Sequence, residues 1–228
     1  MLLARTPFLL LAVALAASPA LAQRGFSFTP HVYGTGIIVG DVDDGEAEEG
    51  GGLGFRAGLG VSKTVTLYLS GGGARIDSDG GATGVVRDLE VADLGRLDDT
   101  YTVASGGIGA QFNLLPSGVV NPFLRTELTG TQVIFDAPGT DDRDDPRLVG
   151  GGLTLGVGAE VRLSRKLAIE AALHATGGRF DELQTRDVDY RNFEDVEFGS
   201  GQVEVGLTWR PWAKSSHRDR DRRRNRRH

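Results

Sequence analysis

No cysteine occurs in the 228 residues, so neither disulfides nor lipid attachment through an N-terminal cysteine can hold or anchor the fold. Aromatic residues make up only 7% of the chain and methionine occurs once. Beyond the first 22 residues no apolar run approaches the ~20 residues of a membrane-spanning helix. A helical membrane protein and a disulfide-framed secreted domain are therefore both excluded. No motif for a cofactor or a tightly held metal is present, so no cofactor is expected. The stretch Asp41-Val42-Asp43-Asp44-Gly45-Glu46 misses the EF-hand spacing by one residue and lacks its twelve-residue frame, leaving a solvated acidic loop.

Glycine, in contrast, is abundant, with 34 residues against the ~7% of average usage. So many would penalise helices, whereas strands use them at bends and at close side-chain contacts. The N-terminus reads separately. Arg5, the apolar stretch from Pro7 to Ala17 and the small residues Ala20 and Ala22 form the pattern of a cleaved export signal over residues 1–22. An exported domain is then expected over 23–213, followed by a basic, disordered tail over 214–228.

From Gly25 onward, stretches that alternate apolar and polar residues are joined in turn by long acidic loops and short turns. Strands are predicted near residues 25–39, 51–61, 65–76, 100–113, 122–135, 149–163, 167–178 and 200–211. The clearest pair sets Leu153, Leu155, Val157, Ala159 and Val161 against Thr154, Glu160 and Arg162, then resumes after Ser164-Arg165-Lys166 with Leu167, Ile169, Ala171 and Leu173 against Glu170, His174 and Thr176. The links at 62–64, 114–121 and 164–166 are short; those at 40–50, 77–99, 136–148 and 180–198 are long and hold 25 of the 31 acidic residues. Long external loops and short periplasmic turns are the asymmetry of transmembrane barrels. Slips of register are expected at Gly71-Gly72-Gly73 and near Thr129 to Phe135, because simple parity turns Arg75 outward.

Alternation alone also suits a soluble lipocalin-like ligand-binding barrel with its apolar face inward. Two features favour the membrane. The predicted strands cover the ~9–11 residues needed to span a bilayer. Aromatics also gather toward the strand ends, with Phe26, Phe28, Phe112, Phe123, Trp209 and Trp212 on the turn side and Tyr101, Phe135 and Phe180 on the loop side, as an interfacial girdle would require. The expected fold is all-β, an eight-stranded antiparallel up-and-down transmembrane β-barrel.

The closing stretch Gly-Gln-Val-Glu-Val-Gly-Leu-Thr-Trp-Arg-Pro-Trp over 201–212, with the strand count and loop asymmetry, resembles the small eight-stranded outer-membrane β-barrel family, of the plan of the OmpA transmembrane domain and OmpX. The resemblance covers 23 to about 212 and implies residence in the cell outer membrane, contact with its lipid, and an assembly signal for the barrel assembly machinery at Trp209 or Trp212. Such barrels commonly end at the aromatic, whereas this chain continues for 16 residues after Trp212.

Charges on predicted strands lie opposite the apolar set. Arg56, Arg125, Glu127, Glu160, Arg162, Glu170, His174 and Glu204, with His31, are expected to form a polar network filling the lumen, because charges removed from bulk water must be paired. An open pore is not expected at eight strands. His174-Ala175-Thr176 is similar to the His-x-Ser of barrel lipid A deacylases, but the hydroxyl is threonine and both residues fall on the lumen face. A structural or surface-interaction role is expected, with a lipid-modifying hydrolase as the alternative. The tail, with eight basic and two acidic residues over 214–228, suits anionic lipid or cell-wall polymer, and no nucleic-acid partner is expected of an exported chain.

Overall fold

The computed structural model describes residues 25–40, 47–77, 100–135, 145–184 and 189–211, without the side chains of 189–195. The expected export signal, the basic tail, Trp212 and most of the acidic loops lie outside the described residues. Eight strands, β1 (Phe26–Val39), β2 (Glu48–Gly60), β3 (Val65–Asp77), β4 (Thr100–Asn113), β5 (Val120–Phe135), β6 (Arg147–Arg162), β7 (Leu167–Gln184) and β8 (Asp189–Trp209), pair antiparallel with their neighbours and close through β1 and β8. Among the described residues no helix is long and apolar enough to cross a membrane.

Parity decides which way each side chain points. In mid-barrel, Val32, Leu53, Leu67, Ile108, Leu128, Leu153, Leu173 and Val203, one from each strand, face outward at 47% to 69% exposure. Charged residues occupy the alternate, inward positions. A soluble barrel of lipocalin type would have the opposite polarity, so that alternative is overturned: water cannot wet such a belt without large cost, whereas hydrocarbon can. On β7 the outward series from Leu167 to Gly177 rises ten residues, or about 25 Å of height at ~40° tilt, which matches the apolar band of such barrels.

Above that band the polarity inverts. Ile37, Ile76, Tyr101, Phe135, Leu148, Phe180, Leu183 and Phe198 turn inward and pack into an apolar core beneath the loops. Phe180 stacks on Phe198 at 4.6 Å, and Tyr101 leans on Phe135 at 5.6 Å. Arg75, Arg179 and Glu197 face outward at the same height. Water outside the bilayer explains the reversal, since here the wall meets solvent and the interior is the drier side. The expected loop-side girdle of Tyr101, Phe135 and Phe180 is therefore corrected: all three are buried in the apolar core, and Phe123 at the turn end is buried inside the lumen beneath Arg125. Phe28, Phe112 and Trp209 face outward as expected.

The last hairpin is another correction. Much of the predicted loop at 180–198 is strand, since β7 continues to Gln184 and β8 begins at Asp189. Its acidic residues signal a loop only while the wall is assumed to face lipid. Register also departs from expectation. Neither Gly71-Gly72-Gly73 nor the stretch from Thr129 to Phe135 slips; the irregularities fall between Val149 and Gly150 and between Phe180 and Glu182. Arg75 does point outward, above the lipid band, and its guanidinium donates to Thr100 Oγ1 at 2.9 Å.

Two details close the cylinder. Pro30 has no N–H, and the β1–β8 ladder passes from the Phe28–Trp209 pair directly to His31–Gly206. On the lumen side of this gap Thr29 and Thr208 share a hydroxyl hydrogen bond of 2.9 Å. Inward glycines make room for large lumen groups, as at Gly158, where an added Cβ would lie 2.5 Å from both the Phe123 ring and the Ala171 carbonyl oxygen. Gly158→Val is expected to cost ~1–3 kcal/mol through overpacking. Gly177→Val, at an outward position with nothing within 4 Å of an added Cβ, should stay within about 0.5 kcal/mol of the parent. Urea unfolding from lipid vesicles measures both, and equal losses would contradict the packing argument.

Candidate functional site

The lumen is organised around two carboxylates and two guanidiniums, each on a different strand. Glu170 of β7 and Glu204 of β8 face Arg56 of β2 and Arg125 of β5, and all four are at most 7% exposed. Arg56 donates to Glu170 Oε1 at 2.7 Å and to both oxygens of Glu204 at 2.7 and 3.0 Å. Arg125 donates to Glu170 Oε1 at 3.0 Å, to Glu204 Oε1 at 3.4 Å and, through Nε, to Gln111 at 2.9 Å. The quartet is formally neutral and crosses the barrel axis.

Its surroundings fix both geometry and charge. Glu170 also accepts from Thr208 Oγ1 at 3.1 Å. The Arg125 guanidinium lies 4.2 Å from the centre of the Phe123 ring, and that of Arg56 lies 5.3 Å from Tyr68, so each cation meets an electron-rich face where water is excluded. His174 and His31 approach Glu204 Oε2 through Nε2 at 3.3 and 3.7 Å from opposite neighbouring strands.

The other network residues form two smaller groups. Toward the turns, buried Glu160 is shared by Arg162, at 3.3 Å, and Arg210. Arg162 also donates to the Pro116 carbonyl at 2.7 Å, tying down the β4–β5 link. Above the quartet, Glu127 accepts from Ser70 at 2.6 Å and from Thr129 at 3.3 Å. Thr129, Thr154 and Thr176 then bond in series across β5, β6 and β7, each step 2.8 Å.

Sequence parity put all eight residues in one lumen network; the structure gathers Arg56, Arg125, Glu170, His174 and Glu204 in one cluster, Glu160 and Arg162 in a second and Glu127 in a third. Parity missed Arg210, whose position on the polar face of the last strand was the available signal. It also missed the aromatic supports Tyr68, to which the sequence reading gave no role, and Phe123, which was expected in the turn-side girdle. Trp209 ends β8 facing outward at 47% exposure, paired with Phe28 and Leu167, while Trp212 lies outside the described residues.

Two chambers flank the quartet. The upper, of about 70 Å³, is lined by Thr35, Ser70, Thr129, Thr154 and Thr176 and is capped by the apolar core; the lower, of about 210 Å³, faces the short turns. The upper volume corresponds to about two waters. Among the described residues no group of three or more histidine, aspartate or glutamate side chains is disposed to hold a metal.

If the quartet carries lumen stability, removing one member should strand the rest. Arg56→Met is expected to cost about 3–5 kcal/mol by leaving two buried carboxylates with one guanidinium. Arg56→Met combined with Glu204→Gln leaves Arg125 with Glu170 and should cost less than the sum of the two single changes. Urea titration of the four proteins in lipid vesicles gives the cycle, and additive losses would sever the coupling.

The model of the outer membrane protein beta-barrel domain matches residues 8–210. Among solved structures, Neisserial surface protein A aligns with a TM-score of 0.54 at 14% identity, over 81% of this chain and 96% of that one. OprG from Pseudomonas aeruginosa aligns at 0.49 and 13% identity, over 82% and 95%. Ail, the attachment invasion locus protein of Yersinia pestis, aligns at 0.46 and 13% identity, over 82% and 99%. No curated protein matches. With an apolar belt outside, charges paired inside and a family match across nearly the whole barrel, this chain belongs to the outer membrane protein β-barrel family and resides in the cell outer membrane.

Proposed function

We propose that the barrel is a non-enzymatic scaffold that displays its loop end at the cell surface. The observation that carries this reading is the double closure of the lumen. The ionic quartet blocks the axis in mid-membrane, and the apolar core from Ile37 to Phe198 blocks it again beneath the loops. Among the described residues a solute meets no continuous path, and the elements left to act on partners are those beyond the bilayer. The β7–β8 hairpin is the most prominent of them, reaching Gln184 and resuming at Asp189.

The hydrolase alternative gains little support from the geometry. His174 and Thr176 lie on the lumen face, the His174 side chain is 7% exposed, and Thr176 is bonded to Thr154. A lipid ester outside the wall has no approach to either. The same reading takes residues 1–22 as a cleaved export signal, the last aromatics as the mark read during assembly, and the tail as a periplasmic segment suited to anionic surfaces.

Two measurements test the proposal. Purified protein in planar bilayers should show no unitary conductance, and His174→Ala should leave the lipid A of expressing cells unaltered; a lost deacylation product in that variant would establish the hydrolase instead. Orientation is tested with single cysteines. Glu197→Cys should react with an impermeant maleimide on intact cells, whereas Lys63→Cys should react only after the outer membrane is opened. The reverse pattern would put the acidic loops in the periplasm.

A further inference from the structure

The chamber at the turn end, periplasmic in the orientation proposed above, differs in charge from the rest of the lumen. Its roof cations, Arg56 and Arg125, are both ion-paired with Glu170 and Glu204. Nearer the mouth, Lys63, Arg162 and Arg210 line the same chamber with one carboxylate, Glu160. Arg162 and Arg210 share that carboxylate, which is 1% exposed, while their own side chains are 33% and 28% exposed. Among the described residues no carboxylate pairs with Lys63, which sits on the Ser62-Lys63-Thr64 turn at the rim. Among the described residues the mouth therefore holds two positive charges in excess, in a chain whose formal net charge is −6.

We propose that this vestibule is a binding site for a small phosphate-type oxyanion. A recess of one charge sign, walled by low-dielectric protein, focuses its field inward and concentrates counter-ions. The chamber volume of about 210 Å³ admits such an ion with part of its hydration shell. Guanidinium and ammonium groups supply charge-assisted donors, and Arg162 and Arg210 are already held in place through Glu160. Neutral polar groups at Ser27, Thr66 and Asn121 complete a wall that can hydrogen-bond an oxyanion without repelling it. The source is either free phosphate of the periplasm or the headgroup of an anionic phospholipid in the inner leaflet, and the two share this chemistry.

The test uses the full chain, isotopically labelled and folded in dodecyl maltoside micelles, with amide resonances read by NMR. Inorganic phosphate is titrated in one arm, and phosphatidylglycerol is added to the micelles in the other. Saturable shifts at Lys63, Asn121 and Arg210 are expected in at least one arm, and the arm that produces them identifies the source. Sulfate should compete, and chloride at equal ionic strength should not. Lys63→Glu, an exposed turn substitution outside the packed lumen, should weaken binding about tenfold, and Lys63→Arg should retain it. Shifts confined to residues 214–228, shifts that never saturate, or an equal response to chloride would each overturn the site.

Discussion

Two carboxylates and two guanidiniums that must neutralise one another out of reach of bulk water are the constraint on which this barrel is built. Removing a charge from water costs several kcal/mol even after relaxation, and attraction offsets that cost only when the remaining hydrogen-bonding positions are filled. Here the filling comes from Thr208 and Gln111, with Tyr68 and Phe123 supporting the cations. Because the four groups come from β2, β5, β7 and β8, their pairing also holds distant staves of the cylinder at fixed separation. The glycines opposite bulky lumen groups follow from the same demand for room.

The outer wall obeys a different solvent, and the two solvents together explain the sequence pattern. In the bilayer zone hydrocarbon lies outside and a polar network inside, so apolar residues point out. Above it, water lies outside and the interior is the drier phase, so Ile76, Phe135 and Phe198 point in. Side chains go on alternating through both zones, interrupted only by the irregularities at Val149/Gly150 and Phe180/Glu182. What reverses the pattern is the medium.

That change of medium marks the limit of what was legible. Strand number, pairing order and the lumen-facing charges could be read because Ile169, Leu173, Glu170 and His174 alternate within one zone and under one rule. The extension of β7 and β8 was hidden, since Asp181, Glu182, Glu194 and Asp195 look like loop residues when every strand is assumed to face lipid. Tyr101 and Phe180 were misplaced for the same reason, their inward parity being outweighed by the expectation of a girdle. The bulges were misplaced because a run of glycines such as Gly71 to Gly73 marks places where bending is easy, not places where it occurs. Arg210 was overlooked because its partner Glu160 is 50 residues away and adjacency around a closed sheet is not visible along the chain.

The seam at Pro30 bears on how such a cylinder comes to exist. Thr29 and Thr208, which bridge it, are 179 residues apart, so the contact that completes the wall joins nearly the two ends of the folded segment. Contacts of that separation form late, because the intervening chain must be ordered before they become favourable. Until then β1 and β8 each present a row of unsatisfied amides and carbonyls that hydrocarbon cannot solvate. The unclosed sheet is thus a species that lipid alone rejects. Its two free edges must be shielded by water, or held by another protein's strand, for as long as closure takes.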